Sequence, residues 1–313
     1  MAGQANLWVD TNGGSCIRSS TPTPYADGTA CGSLDAANDI CQGGDTVLVQ
    51  GGTYRQQMVS GNGGGRSPSA RCTFDAPNGA SPAFGCNQTT NNDGQSLFGA
   101  SCIDVSGSYL VFRHLSSQSY TFNGVSYLGR VDTERGATYL TFDHDHFGAL
   151  AQGASNVVVS HSELGPSVDP FNNRQADGAN VEWSDNWIHD VKRVSSGHIE
   201  CLTYDAGTNV SFLRNLFENC DIFDIFNKPV SNTSGLIDHN AFWEPGIAAG
   251  NNENVAIRTG SGATRCDTVV SNNWFGDGTT GSQGLDLSCP GATDGGGNTF
   301  HSPSVQPPDP RRP

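Results

Sequence analysis

The stretch SGHIECLTYDAGTNVSFLRNLFENCDIFDIFNK, residues 196–228, predicts the fold because short strand patterns follow one another in it without a helix. GHIECLTYD and CDIFDIFNK are of one kind, and NVSFLRNLF lies between them. In the first two, side chains alternate as they do in a strand with one buried face. If these strands stack in register, Glu200 lies over Asp224 on the outer face. The predicted core pairs are Ile199 with Phe223 and Cys201 with Ile225. Two carboxylates held side by side need a metal, a cation or a shared proton.

The composition of the 313-residue chain is typical of an all-β protein with many turns. There are 40 glycines but only 16 Lys plus Arg. Asn, Asp, Ser, Thr and Gly separate short β-branched and aromatic runs. The formal net charge of −15 argues against a nucleic-acid or anionic-membrane partner, because no basic patch could neutralise phosphates. No apolar run approaches the length of a transmembrane helix.

Ten cysteines and only two methionines indicate an oxidising compartment, so we expect a secreted protein. No CxxC pair occurs, which argues against zinc clusters and thioredoxin-like chemistry. Most cysteines are therefore expected to form disulfides that pin loops. The local pairs Cys16–Cys31 and Cys72–Cys86 are the two that we predict.

From Tyr109 onward the chain repeats one strand pattern that ends on an apolar residue. These final residues are Phe147, Leu164, Ile188, Phe217, Phe242 and Phe275. Their successive separations are 17, 24, 29, 25 and 33 residues, which is too uneven for propeller blades or helical repeats. A β-solenoid, in which each coil keeps its strands and varies its loops, accommodates such a spread.

A small polar residue precedes each final apolar residue by two positions. The residues are Asp145, Ser162, Asn186, Asn215, Asn240 and Asn273. In a solenoid they would stack into an internal ladder, as Asn does in other stacked strands, and we assign them a structural role. The sequence Asp143-His144-Asp145-His146 falls in the turn after a strand, so a turn position is preferred there over a metal site.

Three segments near the N-terminus carry a resemblance. LWVDTNGG is a strand running into a turn, and GDTVLVQGGTY is a buried strand between glycine turns. Between them, SLDAANDIC predicts a helix capped by Ser33, with Leu34, Ala37 and Ile40 on one side. Together they resemble the opening of pectate-lyase-like right-handed parallel β-helix proteins, in which a short amphipathic helix caps the open end of the coil.

The predicted architecture is therefore an all-β, single-stranded, right-handed parallel β-helix with an N-terminal capping helix. It is expected to span residues 1–302, and residues 303–313 to form a disordered tail or the start of a linker.

The second strands of the coils carry the candidate site. One predicted outward column is Ser126, Glu200, Asp224, Ala256 and Asp286, and the next is Leu128, Leu202, Phe226, Arg258 and Ser288. His198 and Lys228 fall beside them. Acids, a lysine and an arginine next to aromatic side chains suit a carbohydrate groove, with Phe226, Tyr204 and Asp286 contacting the substrate.

Calcium-dependent β-elimination is the preferred chemistry for this face. Ca²⁺ takes carboxylate oxygens, and here Glu200, Asp224 and Asp221 would supply them. The order of residues is similar to that of the calcium pectate lyases: acids on neighbouring coils, then a lysine, then an arginine. This resemblance implies that Arg258 or Lys228 removes the C5 proton of a uronate.

Two alternatives remain open. Glu200 and Asp224 could hydrolyse a glycosidic bond as acid and base, because coils about 4.8 Å apart approach the roughly 5 Å carboxyl separation of retaining glycosidases. The motifs of β-helix polygalacturonases are not matched, however, and SGH at 196–198 comes nearest. Alternatively, the solenoid is a non-catalytic adhesin or glycan-binding module. In each case we expect a monomer whose partner is an extracellular polysaccharide.

Overall fold

Three long parallel sheets, here A, B and C, form the body of the protein in the computed structural model. The structure describes residues 3–90, 96–98, 101–168, 175–192, 200–220, 223–227, 229, 231–245, 253–260, 262–276, 284–302 and 304–311. The chain passes through sheets A, B and C in turn, and each strand pairs in parallel with its equivalent in the next coil. This confirms the predicted right-handed parallel β-helix.

Sheet A contains the repeated strands found in the sequence. Its strands are Leu7–Val9, Thr46–Val49, Cys72–Asp75, Leu110–Arg113, Thr138–Asp143, Ser155–Ser160, Ala179–Ser184, Thr208–Leu213, Thr233–Asp238, Cys266–Ser271 and Thr293–Gly296. One outward column of these strands lies in register and consists of Thr141, Val158, Glu182, Ser211, Leu236 and Val269. Between those positions Phe142, Trp183 and Phe212 point into the core.

Sheet B begins directly after each sheet A turn, and its strands are short. They are Gly52–Tyr54, Pro82–Phe84, Ser116–Ser117, His146–Phe147, Glu163–Leu164, Trp187–Lys192, Leu216–Cys220, Ala241–Trp243, Trp274–Gly276 and Thr299–Phe300, with Ser167–Val168 also paired to Trp187–Lys192. The sequence pattern runs through these strands and those of sheet A without a break, so each coil has three strands where two were predicted.

Sheet C carries the predicted site strands. They are Gln57–Val59, Ile103–Val105, Arg130–Thr133, Ala149–Gln152, Gln175–Ala176, Glu200–Thr203, Phe223–Asn227, Glu253–Ile257 and Leu285–Asp286. The segment Val125–Leu128, predicted to belong here, instead pairs antiparallel with Ser119–Phe122. Its Tyr127 is buried against Val168 in a small separate cluster, which explains the misassignment of Ser126 and Leu128.

The remaining elements lie at the N-terminal end and in loops. A 3₁₀ turn spans Asp27–Thr29, the helix spans Leu34–Ile40, and a second hairpin joins Gln88–Thr90 to Ser96–Phe98. Ser33 Oγ accepts a hydrogen bond from the Ala36 N–H at 3.1 Å, as the predicted cap requires. Leu34 and Ala37 are buried in the main core, so the helix closes the N-terminal end of the coil.

Within the described part of the chain, no helix is both long and apolar enough to cross a membrane.

All ten cysteines are paired. The bonds are Cys16–Cys31, Cys41–Cys72, Cys86–Cys102, Cys201–Cys220 and Cys266–Cys289. The predicted Cys16–Cys31 bond is confirmed, and the predicted Cys72–Cys86 bond is wrong. Cys72 begins a sheet A strand beside the end of the helix, where Cys41 lies. The coil places Cys86, after a sheet B strand, next to Cys102 before a sheet C strand.

An internal ladder of asparagines links the coils, as predicted. The Asn186 N–H donates to Asn215 Oδ1 at 3.0 Å, and the same bond joins Asn215 to Asn240 at 2.9 Å. The bonds continue through Asn273 to Asn298, which the sequence analysis had not included. Each amide also donates through Nδ2 to a main-chain carbonyl of the preceding coil, such as that of Trp183. Each such amide therefore satisfies a main-chain N–H and a main-chain carbonyl of the preceding coil.

Replacement of Asn215 tests the ladder. Asn215→Ala removes four buried hydrogen bonds of the side chain and leaves the Asn186 N–H and the Trp183 carbonyl without this partner, so we expect a loss of about 1–3 kcal/mol in unfolding free energy. Asn78→Ala, at an exposed turn, is the matched control and should change it by no more than about 0.5 kcal/mol. Denaturant unfolding measures both. Equal effects would show that the ladder contributes nothing specific.

Asp145 is the acidic member of the ladder, and it gives a second test. Its Oδ1 accepts from the Leu115 N–H, Oδ2 receives no hydrogen bond, and burial raises its pKa well above the ordinary range. A carboxyl whose pKa is raised by folding contributes stability below its unfolded pKa of about 3.9, and this is lost as pH rises towards the folded pKa.

Asp145→Asn should therefore stabilise the protein at neutral pH by about 0.5–2 kcal/mol and have little effect near pH 3. The Phe112 carbonyl occupies the place relative to residue 145 that the Trp183 carbonyl occupies relative to Asn215, so the new amide can donate to it. Melting temperatures of both proteins across this pH range provide the measurement. A variant less stable than the parent at pH 7 would contradict the assignment.

Candidate functional site

The outer face of sheet C, in its C-terminal half, brings together several predicted residues. Leu202, Ile225 and Val255 stack inward at full burial, which fixes the side on which their neighbours lie. Phe226, Ala256 and Asp286 consequently form one outward column, and Asp224 and Asn254 lie two positions earlier in the strands. We call this surface the C face.

The register differs by one residue from the prediction for Glu200. Glu200 pairs with Phe223, and Leu202 pairs with Ile225, so Cys201 lies beside Asp224. Glu200 therefore lies on the same side of its strand as the buried Leu202, and the predicted stacking of Glu200 over Asp224 is wrong. The cause is physical: burial of Leu202 against Ile225 sets the register, and a one-residue slip turns every side chain over.

Asp224 nevertheless has an acidic partner, Glu244. Glu244 follows the sheet B strand Ala241–Trp243, and the two side chains are only 1% and 3% exposed. Their carboxyl groups share a hydrogen bond, and burial together with the charge of Asp224 raises the pKa of Glu244 well above its usual range. Cys220 N–H donates to Glu244 Oε2 at 2.8 Å, and Asn254 Nδ2 donates to Asp224 Oδ2 at 2.6 Å. Burial of the two carboxyls side by side therefore favours a proton on Glu244.

Sequence reasoning missed Glu244 because it belongs to no alternating strand. The only signal was an acid placed directly after the apolar run AFW and before a proline.

An aromatic and basic patch lies next to this pair along the C face. Arg258 Nε contacts Asp286 Oδ2 at 2.7 Å, and the guanidinium carbon lies 5.3 Å from the centre of the Phe223 ring. The Phe223 and Phe226 rings stack with their centres 4.7 Å apart. Arg258, Phe226 and Asp286 therefore lie close together, although Phe226 pairs with Ala256 and not, as predicted, with Arg258. Such a surface can stack on a sugar ring and bind a carboxylate.

The other predicted site residues are placed differently. Tyr204 is fully buried, and its hydroxyl bonds Thr268 Oγ1 at 2.8 Å inside the coil, which does not fit the predicted contact with substrate. Burial also raises the pKa of Tyr204. His198, Asp221 and Lys228 lie outside the described residues, so their roles stay predictions.

The predicted calcium ligands are not assembled as a set, because Glu200 is turned away from Asp224 by the register. A different set of side-chain oxygens lies close enough together to hold a calcium ion. Asp224, Glu244 and Asn254 are all buried, and neither Glu244 Oε1 nor Asn254 Oδ1 accepts a hydrogen bond from an N–H group. A proton shared with Asp224 satisfies Glu244 in the metal-free protein. Carboxylate and amide oxygens are the ligands that Ca²⁺ prefers, so these residues fit the ion.

A second polar cluster lies on the outer side of sheet B. Glu163 Oε1 is 3.3 Å from His146 Nε2 and from His189 Nε2, and His189 Nδ1 is 3.0 Å from Asp190 Oδ2. Hydrogen bonds from the two histidines lower the pKa of Glu163 strongly, and Trp187 stacks on His189 at 3.8 Å. Here each acid faces an imidazole, whereas the Asp224–Glu244 pair has only its shared proton.

No family model matches the chain, and neither does any curated protein. Solved structures do resemble it. The pectate lyase Pel9A is 15% identical with a TM-score of 0.46, over 96% of this chain and 81% of that one. The PfbA surface adhesin of Streptococcus pneumoniae is 12% identical with a TM-score of 0.44, over 75% of this chain and 71% of that one. The GH136 lacto-N-biosidase from Eubacterium ramulus is 13% identical with a TM-score of 0.44, over 95% of this chain and 68% of that one. Likeness of this degree concerns the fold alone.

The shared proton of the acid pair can be tested by Glu244→Gln. The amide keeps the bond from Cys220 and can donate to Asp224. Since the raised pKa of Glu244 costs stability as pH rises above about 4.3, the variant should be more stable than the parent at pH 8 and equal to it near pH 3.5.

Calcium-free thermal melts across this range provide the measurement, with the exposed Glu134→Gln as control. Combining Glu244→Gln with Asp224→Asn should give a non-additive result, because the two groups share one proton. Additive effects without pH dependence would contradict the pairing.

Proposed function

We propose that this protein cleaves a uronate-containing extracellular polysaccharide by β-elimination on the C face, with Ca²⁺ as cofactor. The observation that carries the proposal is the buried Asp224–Glu244 pair beside Arg258 and Phe226. The five disulfides suit a secreted protein acting on such a polymer.

Charge supports a cation at this place. The chain carries a formal charge of −15, so an acidic polymer would be repelled from most of its surface. Arg258, the arginine described on the C face, is already paired with Asp286. An acidic substrate therefore needs additional positive charge, and Asp224, Glu244 and Asn254 are the oxygen-bearing residues that would hold it. When bound, Ca²⁺ would neutralise the substrate carboxylate and acidify the C5 proton.

The chain's own residues have separate tasks. Phe226 offers an apolar ring on which a sugar can stack, and Arg258 can bind a uronate carboxylate. Elimination moves the C5 proton to a base while the C4–O bond breaks, leaving an unsaturated uronate and a new reducing end. For Arg258 to be that base its guanidinium must lose a proton, which the Asp286 carboxylate opposes, so this contact must open when substrate binds. Lys228 is the other base predicted from the sequence.

Hydrolysis by acid and base is the second candidate. The register separates Glu200 from Asp224, and Asp224 and Glu244 are in hydrogen-bond contact. Retaining glycosidases hold their carboxyls about 5–5.5 Å apart, and inverting enzymes hold them further apart. The geometry of the pair therefore favours cation binding over glycosidic acid–base catalysis.

A polysaccharide panel separates the possibilities. Pectic, alginate, other uronate and neutral polymers are incubated with and without chelator, and products are followed by the ultraviolet absorbance of unsaturated uronates and by reducing sugars. We expect both signals on a uronate polymer, and chelation should abolish them. Reducing ends without unsaturation would indicate a hydrolase. Binding without either signal would indicate a non-catalytic module and contradict the proposal.

Variants then test the site itself. Asp224→Asn and Glu244→Gln should each lower turnover roughly 10- to 100-fold and weaken the rise in melting temperature caused by Ca²⁺. Glu134→Gln, at an exposed position, should behave as the parent. Glu200→Gln discriminates between mechanisms: it should retain parental turnover if the acid pair holds Ca²⁺, and lose it if Glu200 and Asp224 act as acid and base. Full activity of both acid-pair variants would rule out this site.

A further inference from the structure

The turn that follows each of the seven sheet A strands from Leu110–Arg113 to Cys266–Ser271 repeats a left-handed residue on the outside of the coil. The positions and φ angles are His114 (54°), His144 (59°), His161 (49°), Asp185 (60°), Arg214 (55°), His239 (55°) and Asn272 (55°). Since coils are about 4.8 Å apart, the side chains of successive turns stack in a column. Three consecutive members are histidines, and this surface is separate from the C face.

Two of these histidines converge on one carboxylate. His144 Nδ1 lies 3.1 Å from Asp143 Oδ1, and His161 Nδ1 lies 3.0 Å from the same oxygen. One ligand atom from each of the three residues lies within 4.8 Å of the others. The imidazole rings of His144 and His161 stack with centres 4.9 Å apart and planes 16° from parallel. The two rings thus present nitrogen atoms side by side.

Neighbouring groups hold Asp143 in place. Ser160 Oγ donates to Asp143 Oδ1 at 2.9 Å, and Arg113 Nε lies 3.4 Å from Oδ2. Strand pairing places Asp143 directly beside Ser160, the residue before His161. The backbone of two coils therefore fixes the relative positions of all three groups before any ligand binds.

The geometry points to a divalent transition-metal site formed by Asp143, His144 and His161, of the kind that Zn²⁺ takes. Imidazole nitrogen and carboxylate oxygen are zinc ligands, with bonds of about 2.0–2.2 Å. In a tetrahedron with such bonds the ligand atoms are roughly 3.3 Å apart, so separations of 3.0 and 3.1 Å need only a small adjustment. The histidine side chains are 51% and 53% exposed, which leaves the remaining coordination positions to water or to an external ligand.

The column also provides a matched control. His239 occupies the same turn position, and its Nδ1 lies 2.6 Å from Asp238 Oδ2, so it repeats the Asp–His unit. Its neighbours in the column are Arg214 and Asn272, and Asn272 Nδ2 donates to Asp238 at 2.9 Å where His161 meets Asp143. The second imidazole is thus missing there. Asn272 further shows that this left-handed position accepts asparagine, which makes His→Asn a conservative substitution for the fold.

The test is titration calorimetry of Zn²⁺ into tag-free, full-length protein from which metals have been removed with chelator. The parent and His239→Asn should bind Zn²⁺ with the same affinity. His144→Asn and His161→Asn should each weaken binding at this site at least about tenfold. Zinc should raise the melting temperature of the first two proteins more than that of the second two.

Circular dichroism and the calcium response of the C face check that all four proteins are folded. Three results would overturn the assignment: no saturable binding by the parent, equal loss of affinity in His239→Asn, or undiminished binding in either His144→Asn or His161→Asn. The last result would place zinc elsewhere on the protein.

Discussion

The stacking of coils at a spacing of about 4.8 Å is the constraint on which the rest of the structure depends, and the asparagine ladder holds it at one corner. Each ladder amide accepts from the main-chain N–H of the ladder residue in the preceding coil and donates to a main-chain carbonyl, so Asn215 bonds Asn186, Asn240 and Trp183. Side chains at equivalent positions must then lie directly over one another. The same constraint produces the stack of Phe217, Phe242, Phe275 and Phe300 and, on the outside of the turn, the histidine column.

Because the coils stack, the side chains buried in the core determine which residues face outward. Leu202, Ile225 and Val255 align because their burial stabilises the coil, and the outward residues follow from that alignment. Asp224 is fixed by this alignment, and Glu244 is fixed by its place directly after the sheet B strand Ala241–Trp243. The two acids therefore stay close together, and a proton or, in our proposal, Ca²⁺ offsets the repulsion between them.

The sequence was sufficient for features that repeat. Six ladder positions and the capping helix were predicted correctly, because each depends on local pattern or on a spacing that recurs in every coil. It was insufficient for contacts between coils that occur only once in the structure. Glu200 was assigned the wrong register since HIECL can bury either set of alternating residues. Glu244 and the partner of Cys72 depend on which turn lies next to which strand, and no periodicity encodes that.

In our proposal Asp224, Glu244 and Asn254 hold Ca²⁺ on the C face, where an acidic sugar binds. A crystal structure of the protein with calcium and a uronate oligosaccharide is the decisive test, with Glu134→Gln crystals as a control for surface binding. We expect an anomalous peak bounded by the Asp224 and Glu244 oxygens, with a uronate carboxylate nearby and a sugar ring against Phe226. A calcium-free acid pair that still shares its proton, with the oligosaccharide bound on another face, would contradict it.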